Sequence, residues 1–409
     1  MKILLVNKFN WLGGGADKYF LDLADLLAKN GHQVVKFCMH HPRNFPDNNS
    51  NYFVSYVDKD QKGIFNKIRY AFRVLYSFEA KKKFTELIRQ EKPDLIHIHN
   101  IYHQISPSIL SVAKKFDIPV VMHLHDYKLV APNYSLFSHG KIDTSSVGGH
   151  YWRCIMNKSF NNSYLQSVLV AIEMWFHHTL LKIYEKNISF FLAPSKFIRD
   201  FMIEAGIPSE KVIHFPYFVA GIEKDIPEYQ PGKEFLYYGR LSEEKGIEIA
   251  LRALALVPDA CLKIIGEGKD RETLEKLSVE LGVSDRVRFM GALYSEELKS
   301  EIRSARAVVV PSIWYEVFGL VNVEAAALGK LVIASEIGGI SETVIPEKSA
   351  WLFPAGDEKI LATILKHALE NPSEVEQAGK VGRDFVLENF TSEIHWLRLK
   401  NIYAQALGK

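Results

Sequence analysis

The chain begins on a short apolar run, Lys2–Val6, and then repeats one pattern: an apolar run, a polar or glycine-rich turn, an amphipathic stretch. A run that is apolar on both faces fits a parallel strand covered on both sides by helices. Gly13, Gly14 and Gly15 follow the first run, and Asp17–Asn30 then carries Phe20, Leu23, Ala24 and Leu27 on one helical stripe, with Gly31 at its C-terminal end. Strands are expected next at Val34–Cys38, Pro93–His99, Ile118–His123 and Phe190–Ala193. Such an alternation builds a doubly wound α/β sheet.

The pattern lapses between Pro216 and Gly232, where Pro227 and Pro231 also fall, and then restarts. Phe235–Gly239, Cys261–Ile265, Val287–Met290, Ala307–Val310 and Leu331–Ala334 read as strands, and Gly246–Val257 and Arg271–Leu281 as helices. Thr391–Gly408 is amphipathic and reads as a terminal helix. The 409 residues therefore divide into a Rossmann-like domain at 1–218, a linker at 219–232, a second Rossmann-like domain at 233–390, and a helix at 391–409 expected to pack back on the first domain. Open parallel sheets bind ligands beyond the carboxyl ends of their strands, so the expected site is the cleft that two such domains face.

Composition removes several classes. Lys and Arg number 50 against 48 Asp and Glu, a net of +2, which makes no case for nucleic-acid binding. Cys38, Cys154 and Cys261 lie far apart, with no spacing for a zinc site or a disulfide framework, and fit a reducing cytosol. No signal-peptide pattern precedes the first strand, and no apolar stretch reaches the roughly 18 to 20 residues that span a bilayer.

The residues that carry chemistry cluster in the second half. In Tyr238-Gly239-Arg240-Leu241-Ser242-Glu243-Glu244-Lys245-Gly246, two cations stand where a strand gives way to a helix. Fixed cations at a helix N-terminus suit a diphosphate, although a solvated turn would also carry them. In Pro311–Glu324, Glu316 and Glu324 flank Phe318-Gly319-Leu320, a tight loop opening a helix over 320–328. Backbone N–H groups at Gly319, Leu320 and Val321 would serve as anion donors, Glu324 could accept from a ribose diol and Glu316 from a sugar hydroxyl. Gly266-Glu267-Gly268 ends another strand and could admit a flat base against the backbone. By itself, that Gly-x-Gly is most simply a turn.

Taken in order, Gly-Arg-Leu-x-x-x-Lys-Gly, Gly-x-Gly and Glu-x7-Glu with an internal Phe-Gly-Leu resemble the retaining nucleotide-sugar glycosyltransferases of glycosyltransferase family 4, over nearly the whole chain. The N-terminal glycines before Ala16-Asp17 are similar to that family's Gly-Gly-x-Glu helix start, with Asp in place of Glu. The resemblance implies the GT-B fold, an acceptor-side first domain and a donor-binding second one. It implies that Arg240 and Lys245 neutralise a nucleotide diphosphate, that Glu324 holds the ribose, and that Glu316, with backbone N–H groups at Phe318 and Gly319, binds the donor sugar. Gly266, Glu267 and Leu320 join the donor site, and Gly14 and Gly15 lie near the phosphate or acceptor. The family's strand-end histidine is matched by His125, before Asp126, with His123 two residues earlier on the same strand face; His99 lines the acceptor side with Asp126.

The expected reaction is retaining transfer of a sugar, from a UDP-sugar, to a hydroxyl in glycan, polysaccharide or glycolipid assembly. His125, Glu316, Arg240 and Lys245 are the expected catalytic groups. Asp58-Lys59-Asp60 has the spacing of a metal-binding pair but sits in a charged, loop-like stretch, so no metal or other cofactor is expected. The alternatives are a nucleotide-sugar epimerase of the same fold and a non-catalytic nucleotide-sugar-binding scaffold. The expected location is the cytoplasm, and possible peripheral docking on the anionic inner membrane face follows from Phe65–Pro93, read as one helix with Ile68, Phe72, Leu75 and Tyr76 beside six cations. The stretch 128–187 reads as an acceptor-side insertion.

Overall fold

The computed structural model describes residues 1–56, 64–222 and 232–408, with the backbone course alone at 64–68. Asp58-Lys59-Asp60 and most of the expected linker lie outside the described residues. The chain forms two units: the first comprises Met1–His139, Asp143–Pro216 and His395–Lys409, the second Gly140–Ile142 and Tyr217–Ile394.

The first unit is built on a six-stranded sheet: β1 (Lys2–Val6), β2 (Gln33–Phe37), β3 (Leu95–Ile98), β4 (Val120–His123), β5 (Phe190–Ala193) and β6 (Val212–His214), in the order β2-β1-β3-β4-β5-β6. Every pairing is parallel. Ile3, Leu4, Leu5 and Val6 have no exposed surface, the burial their unbroken apolar run requires. Helix α1 (Gly15–Lys29) lays Tyr19, Phe20, Leu23, Ala24 and Leu27 against this core. Fully burying a side chain of that size stabilises by about 1.5 to 3 kcal/mol, which fixes the helix's rotation over the sheet.

The basic stretch departs from expectation. It is two helices, α2 (Ile64–Leu75) and α3 (Phe78–Glu91), because the Ser77 hydroxyl accepts from the Ala80 amide and starts a new helix. Phe84, Leu87 and Ile88 are core residues, and the Arg73 guanidinium is buried, bonded to the Ser55 carbonyl and to Glu79. In the insertion, α4 (Tyr164–Met174) runs into a wider π turn at Trp175–Leu180. Its Glu173 is buried against Lys128 at 2.8 Å, tying α4 to the start of the insertion.

The second unit repeats the architecture: β7 (Phe235–Tyr238), β8 (Leu262–Ile265), β9 (Val287–Gly291), β10 (Ala307–Val310), β11 (Leu331–Ser335) and β12 (Ala350–Phe353), ordered β9-β8-β7-β10-β11-β12 and parallel throughout. Helices α5 (Ile247–Ala255) and α6 (Leu320–Ala327) follow β7 and β10. The terminal helix α7 (Ser392–Ala406) belongs from His395 onward to the first unit, where His395, Leu399, Ile402 and Tyr403 are buried.

Candidate functional site

In the second unit the strand order reverses between β7 and β10, which lie side by side though three strands apart in sequence. Loops leaving a sheet at such a point diverge and open a crevice. The two loops there are Gly239–Gly246 and Pro311–Gly319, so the expected donor residues emerge on either side of the reversal.

The two loops are locked together. The Ile313 amide donates to the Glu244 carbonyl at 3.0 Å. Gly246 has φ 64°, and a Cβ there would stand 1.9 Å from the Pro311 carbonyl oxygen, so only glycine permits this approach. Beyond it, Lys245 Nζ donates to Glu316 Oε1 at 2.6 Å and lies 5.2 Å from the centre of the Trp314 ring. Ser312 Oγ donates to the same Glu316 oxygen at 2.7 Å. Burial acts to raise the pKa of Glu316, but Lys245 and Ser312 outweigh it and hold the carboxyl below its usual range. Arg240 is 66% exposed and 3.5 Å from Glu244, whereas Lys245 is 19% exposed. Of the two cations, Lys245 is the one the fold holds in place. It stands on a single turn, Glu243–Lys245, ahead of α5 rather than on the helix itself.

Glu324 lies one turn into α6, half-buried. The Tyr238 hydroxyl donates to the Val321 carbonyl at 2.9 Å, and burial together with the Glu324 carboxylate pushes that phenol well above its usual range. Glu324 therefore belongs to the same end of β7 as Arg240. Gly319 caps α6 with φ 93°, and Phe318 is buried between Tyr217 and Phe390 at 5.1 and 5.6 Å. Gly266 also has a packing role: a Cβ there would meet the Gly239 carbonyl at 1.8 Å, so this glycine lets two backbone segments touch. Glu267 is exposed and pairs with Arg271 at 2.9 Å.

In the first unit, Gly14 and Gly15 open α1 on the loop after β1. Asp17 accepts from Asn7 Nδ2 at 2.8 Å, and burial pushes its carboxyl up to about 6. Burial likewise raises Asp126, which accepts from the Lys128 amide at 2.8 Å, to about 6. His97, His99, His123 and His125 form a tile at the C-terminal ends of β3 and β4. His97 Nε2 and His123 Nδ1 are 2.9 Å apart, as are His99 Nδ1 and His125 Nε2. Tyr19, His395 and Tyr403 complete this group: Tyr19 Oη is 3.1 Å from His123 Nε2 and 2.9 Å from His395 Nε2, and Tyr403 Oη is 2.6 Å from His97 Nδ1. Burial lowers the pKa of every histidine in it. Among the described residues, no group of three or more His, Cys, Asp or Glu side chains is arranged to hold a metal ion.

Ser312, Trp314 and Tyr238 stood inside the motifs read from the sequence but received no role there, because a hydroxyl or a ring shows its partner only once the loops meet. His395 and Tyr403 did leave a signal. They occupy the buried stripe 395, 399, 402, 403 of α7, where a histidine among apolar residues needs a hydrogen-bond partner.

Residues 13–219 match the family model for glycosyltransferase family 4, and residues 221–385 the model for glycosyl transferases group 1. The chain therefore belongs to the family 4, group 1 glycosyltransferases and has the GT-B fold. It is an enzyme that transfers a glycosyl group. An uncharacterized 42.6 kDa protein of the cps region of Klebsiella pneumoniae is 26% identical over 84% of this chain and 87% of its own length. An uncharacterized glycosyltransferase of Methanocaldococcus jannaschii is 24% identical over 85% of this chain and 83% of its own. Among solved structures, the sucrose-phosphate synthase of Thermosynechococcus elongatus superposes with a TM-score of 0.75 at 22% identity, covering 100% of this chain and 99% of that one. Anabaena HepE, solved in complex with UDP-glucose, gives 0.68 at 17%, covering 99% and 100%.

Proposed function

We propose that the chain is a retaining, metal-independent glycosyltransferase that moves a sugar from a UDP-sugar to a hydroxyl of a glycan, polysaccharide or lipid-linked acceptor. The observation that carries this reading is the Lys245–Glu316 pair at 2.6 Å, set on two loops that flank the strand reversal, with Glu324 one turn into the adjoining helix. UDP is favoured because structural neighbours from Anabaena were solved with UDP and with UDP-glucose.

As the bond from the anomeric carbon to phosphate breaks, negative charge gathers on the departing diphosphate. Lys245 and Arg240 meet that charge, and the N-terminus of α6 adds partial positive charge. Glu324 accepts from the ribose hydroxyls. Glu316, kept ionised by Lys245 and Ser312, accepts from hydroxyls of the donor sugar, and His125 contacts the transferred sugar. The acceptor oxygen bonds to the anomeric carbon on the face the phosphate leaves, and its proton passes to the departing diphosphate.

Turnover of UDP-, GDP-, ADP- and dTDP-sugars, followed by release of nucleoside diphosphate, tests the reading. Release from UDP-sugars with the product anomer matching the donor is the expected result. Inversion at C2 without release marks an epimerase, and binding without turnover marks a scaffold. Because lysine supplies the cation, EDTA is expected to change the rate less than about twofold. Loss of activity on chelation, restored by Mg²⁺ or Mn²⁺, would remove metal independence.

The proposed acceptor side includes an anionic membrane surface, presented by the basic stretch of α2 and α3 together with the insertion. The core-facing positions of α3 are occupied. Phe72 and Phe78, 68 and 76% exposed, stand on α2 and α3, and further exposed large apolar residues gather in the insertion: Trp152, Met156, Leu165, Ile172, Trp175 and Leu180, each 46 to 79% exposed. Arg153, Lys158 and Lys182 supply the cations there, and Glu173, the acidic residue between Asp143 and Glu185, is buried. Among the described residues, no helix is long and apolar enough to cross a membrane. Flotation with phosphatidylglycerol vesicles is expected at low salt and is expected to fail for Leu165→Asp combined with Ile172→Asp. Equal flotation of the two proteins would remove this surface from consideration.

A further inference from the structure

Two sequence repeats, His97-Ile98-His99 and His123-Leu124-His125, end adjacent parallel strands whose register pairs His97 with Val121 and Ile98 with Met122. Alternation along each strand puts all four imidazoles on one face. They form two edge-to-edge pairs with rings nearly coplanar, His97–His123 at 8° and His99–His125 at 17°. The pairs lie alongside each other, with His97 and His99 centroids 4.8 Å apart and those of His123 and His125 5.5 Å apart.

The hydrogen bonds around the first pair have only one consistent direction. The Pro216 carbonyl can only accept, so His395 Nδ1, 3.0 Å away, carries a proton. Burial keeps His395 neutral, so its Nε2 is a lone pair and the Tyr19 hydroxyl donates to it. The Tyr19 oxygen can then only accept from His123, whose proton is on Nε2. Neutral His123 presents a lone pair at Nδ1, which accepts from His97 Nε2–H. His97 Nδ1 in turn accepts from the Tyr403 hydroxyl. Reversing the chain would require a backbone carbonyl to donate, so it cannot act as a proton relay. It is a clamp.

The second pair follows a similar rule. His99 Nε2 is buried without a hydrogen-bond partner. A buried N–H without an acceptor is rarer in proteins than a buried acceptor without a donor. His99 therefore carries its proton on Nδ1 and donates to His125 Nε2, and His125 holds its own proton on Nδ1, as a donor. Tyr19 packs against both members of this pair, its ring centre 5.7 Å from that of His99 and 5.8 Å from that of His125.

We propose that Tyr19, His395 and Tyr403 are positioning residues of the transfer site: the one-way chain ending on the Pro216 carbonyl fixes the His97–His123 pair, and the Tyr19 ring it holds in place fixes His125 as a hydrogen-bond donor to the transferred sugar. This rests on the reading of His125 as a sugar contact. The groups facing the chain are these histidines and phenols from α1, β3, β4 and α7, together with the Arg398 cation, which acts on His395.

Two-bond proton–nitrogen correlation spectra of the ¹⁵N-labelled full chain read the tautomers directly. The expected forms are Nε2–H for His97 and His123 and Nδ1–H for His395, and the opposite form at any of the three overturns the chain. Tyr19→Phe keeps the ring and removes the link. It is expected to lower kcat about tenfold while UDP affinity, set in the second unit, stays unchanged. An unchanged kcat in a variant whose spectra show the link broken overturns the positioning role. Should Tyr19→Phe not fold, Tyr403→Phe removes only the terminal donor, and His97 is expected to keep its proton on Nε2, still donating to His123 Nδ1, with a smaller loss of kcat; a switch of His97 to Nδ1–H in that variant overturns the chain. Wild-type protein that releases no nucleoside diphosphate from any sugar donor removes the site reading and the positioning role together, while the spectra still decide the chain by themselves.

Discussion

Acidifying from about pH 7.5 to about pH 5.5 is expected to take about 4 kcal/mol from the stability of the first unit through His97, His99, His123 and His395, net of Asp17 and Asp126. His97, His99, His123 and His395 are at most 3% exposed, and burial depresses each from the usual 6.5, to about 3 at His97 and His395. A histidine whose folded pKa is depressed contributes stability that is fully present above the unfolded pKa. That stability is lost as pH falls below it, because the unfolded chain then takes up protons that the folded chain refuses. Each group loses about 1.4 kcal/mol per pH unit below about 6.5. Asp17 and Asp126 act in the opposite sense: their carboxyls are raised to about 6, so the cost of holding them ionised is relieved over the same interval. That offsets roughly 1.5 kcal/mol of the loss. Hydrogen exchange read on peptides from β3 and β4, with β7 and β10 as the internal reference, measures the difference. Equal protection of β3 and β4 at both pH values would show that the tile is not held neutral.

Lys245→Ala is expected to lower kcat by about 10² to 10³, a loss of about 2.7 to 4 kcal/mol of transition-state stabilisation, the range found when one preorganised donor to a developing anion is removed. The loss falls on kcat because the diphosphate charge grows as the bond breaks. Arg240→Ala is expected to cost less, since Arg240 is 66% exposed and its charge is screened by solvent. Removing Lys245 also leaves Glu316 ionised and 8% exposed without its cation, so a fall in melting temperature should accompany the kinetic loss. Lys245→Ala combined with Glu316→Gln tests the stability effect by itself: the melting temperature is expected to return towards wild type. A single variant with kcat within about threefold of wild type would remove Lys245 from the leaving-group site.

How far the sequence disclosed this molecule depended on the range of each signal. Continuous apolar runs such as Lys2–Val6 and Ala307–Val310 were legible as buried parallel strands because sequence alone determines which faces need cover. The Lys245–Glu316 grouping was foreshadowed because its loops carry recognisable residues at fixed offsets from strand ends. Ser77 was missed because an N-cap inside a helical pattern changes the chain path without disturbing its periodicity. The close approach of Gly266 to the Gly239 carbonyl was not legible, because Gly239 is on another strand's loop, invisible to any local window. The histidine tile was half legible: alternation placed His97 with His99 and His123 with His125. Their pairing across strands, and the phenols that orient them, depend on register and on a helix that returns from the far end of the chain.

That return sets an order on biosynthesis. Tyr19 finds its partner 376 residues later and His97 finds Tyr403 306 residues later. Pro216 and His395 are 179 positions apart, a gap of roughly 10 to 40 seconds at the usual pace of translation. Throughout that interval the nascent chain carries its histidines without Tyr403 and without the His395 link to Tyr19 and Pro216, although the sheet that bears them has already emerged. A chain stopped at Ile394 would hold the whole of the second unit, but never a finished first one. The half of the molecule that is made first is the last to be completed.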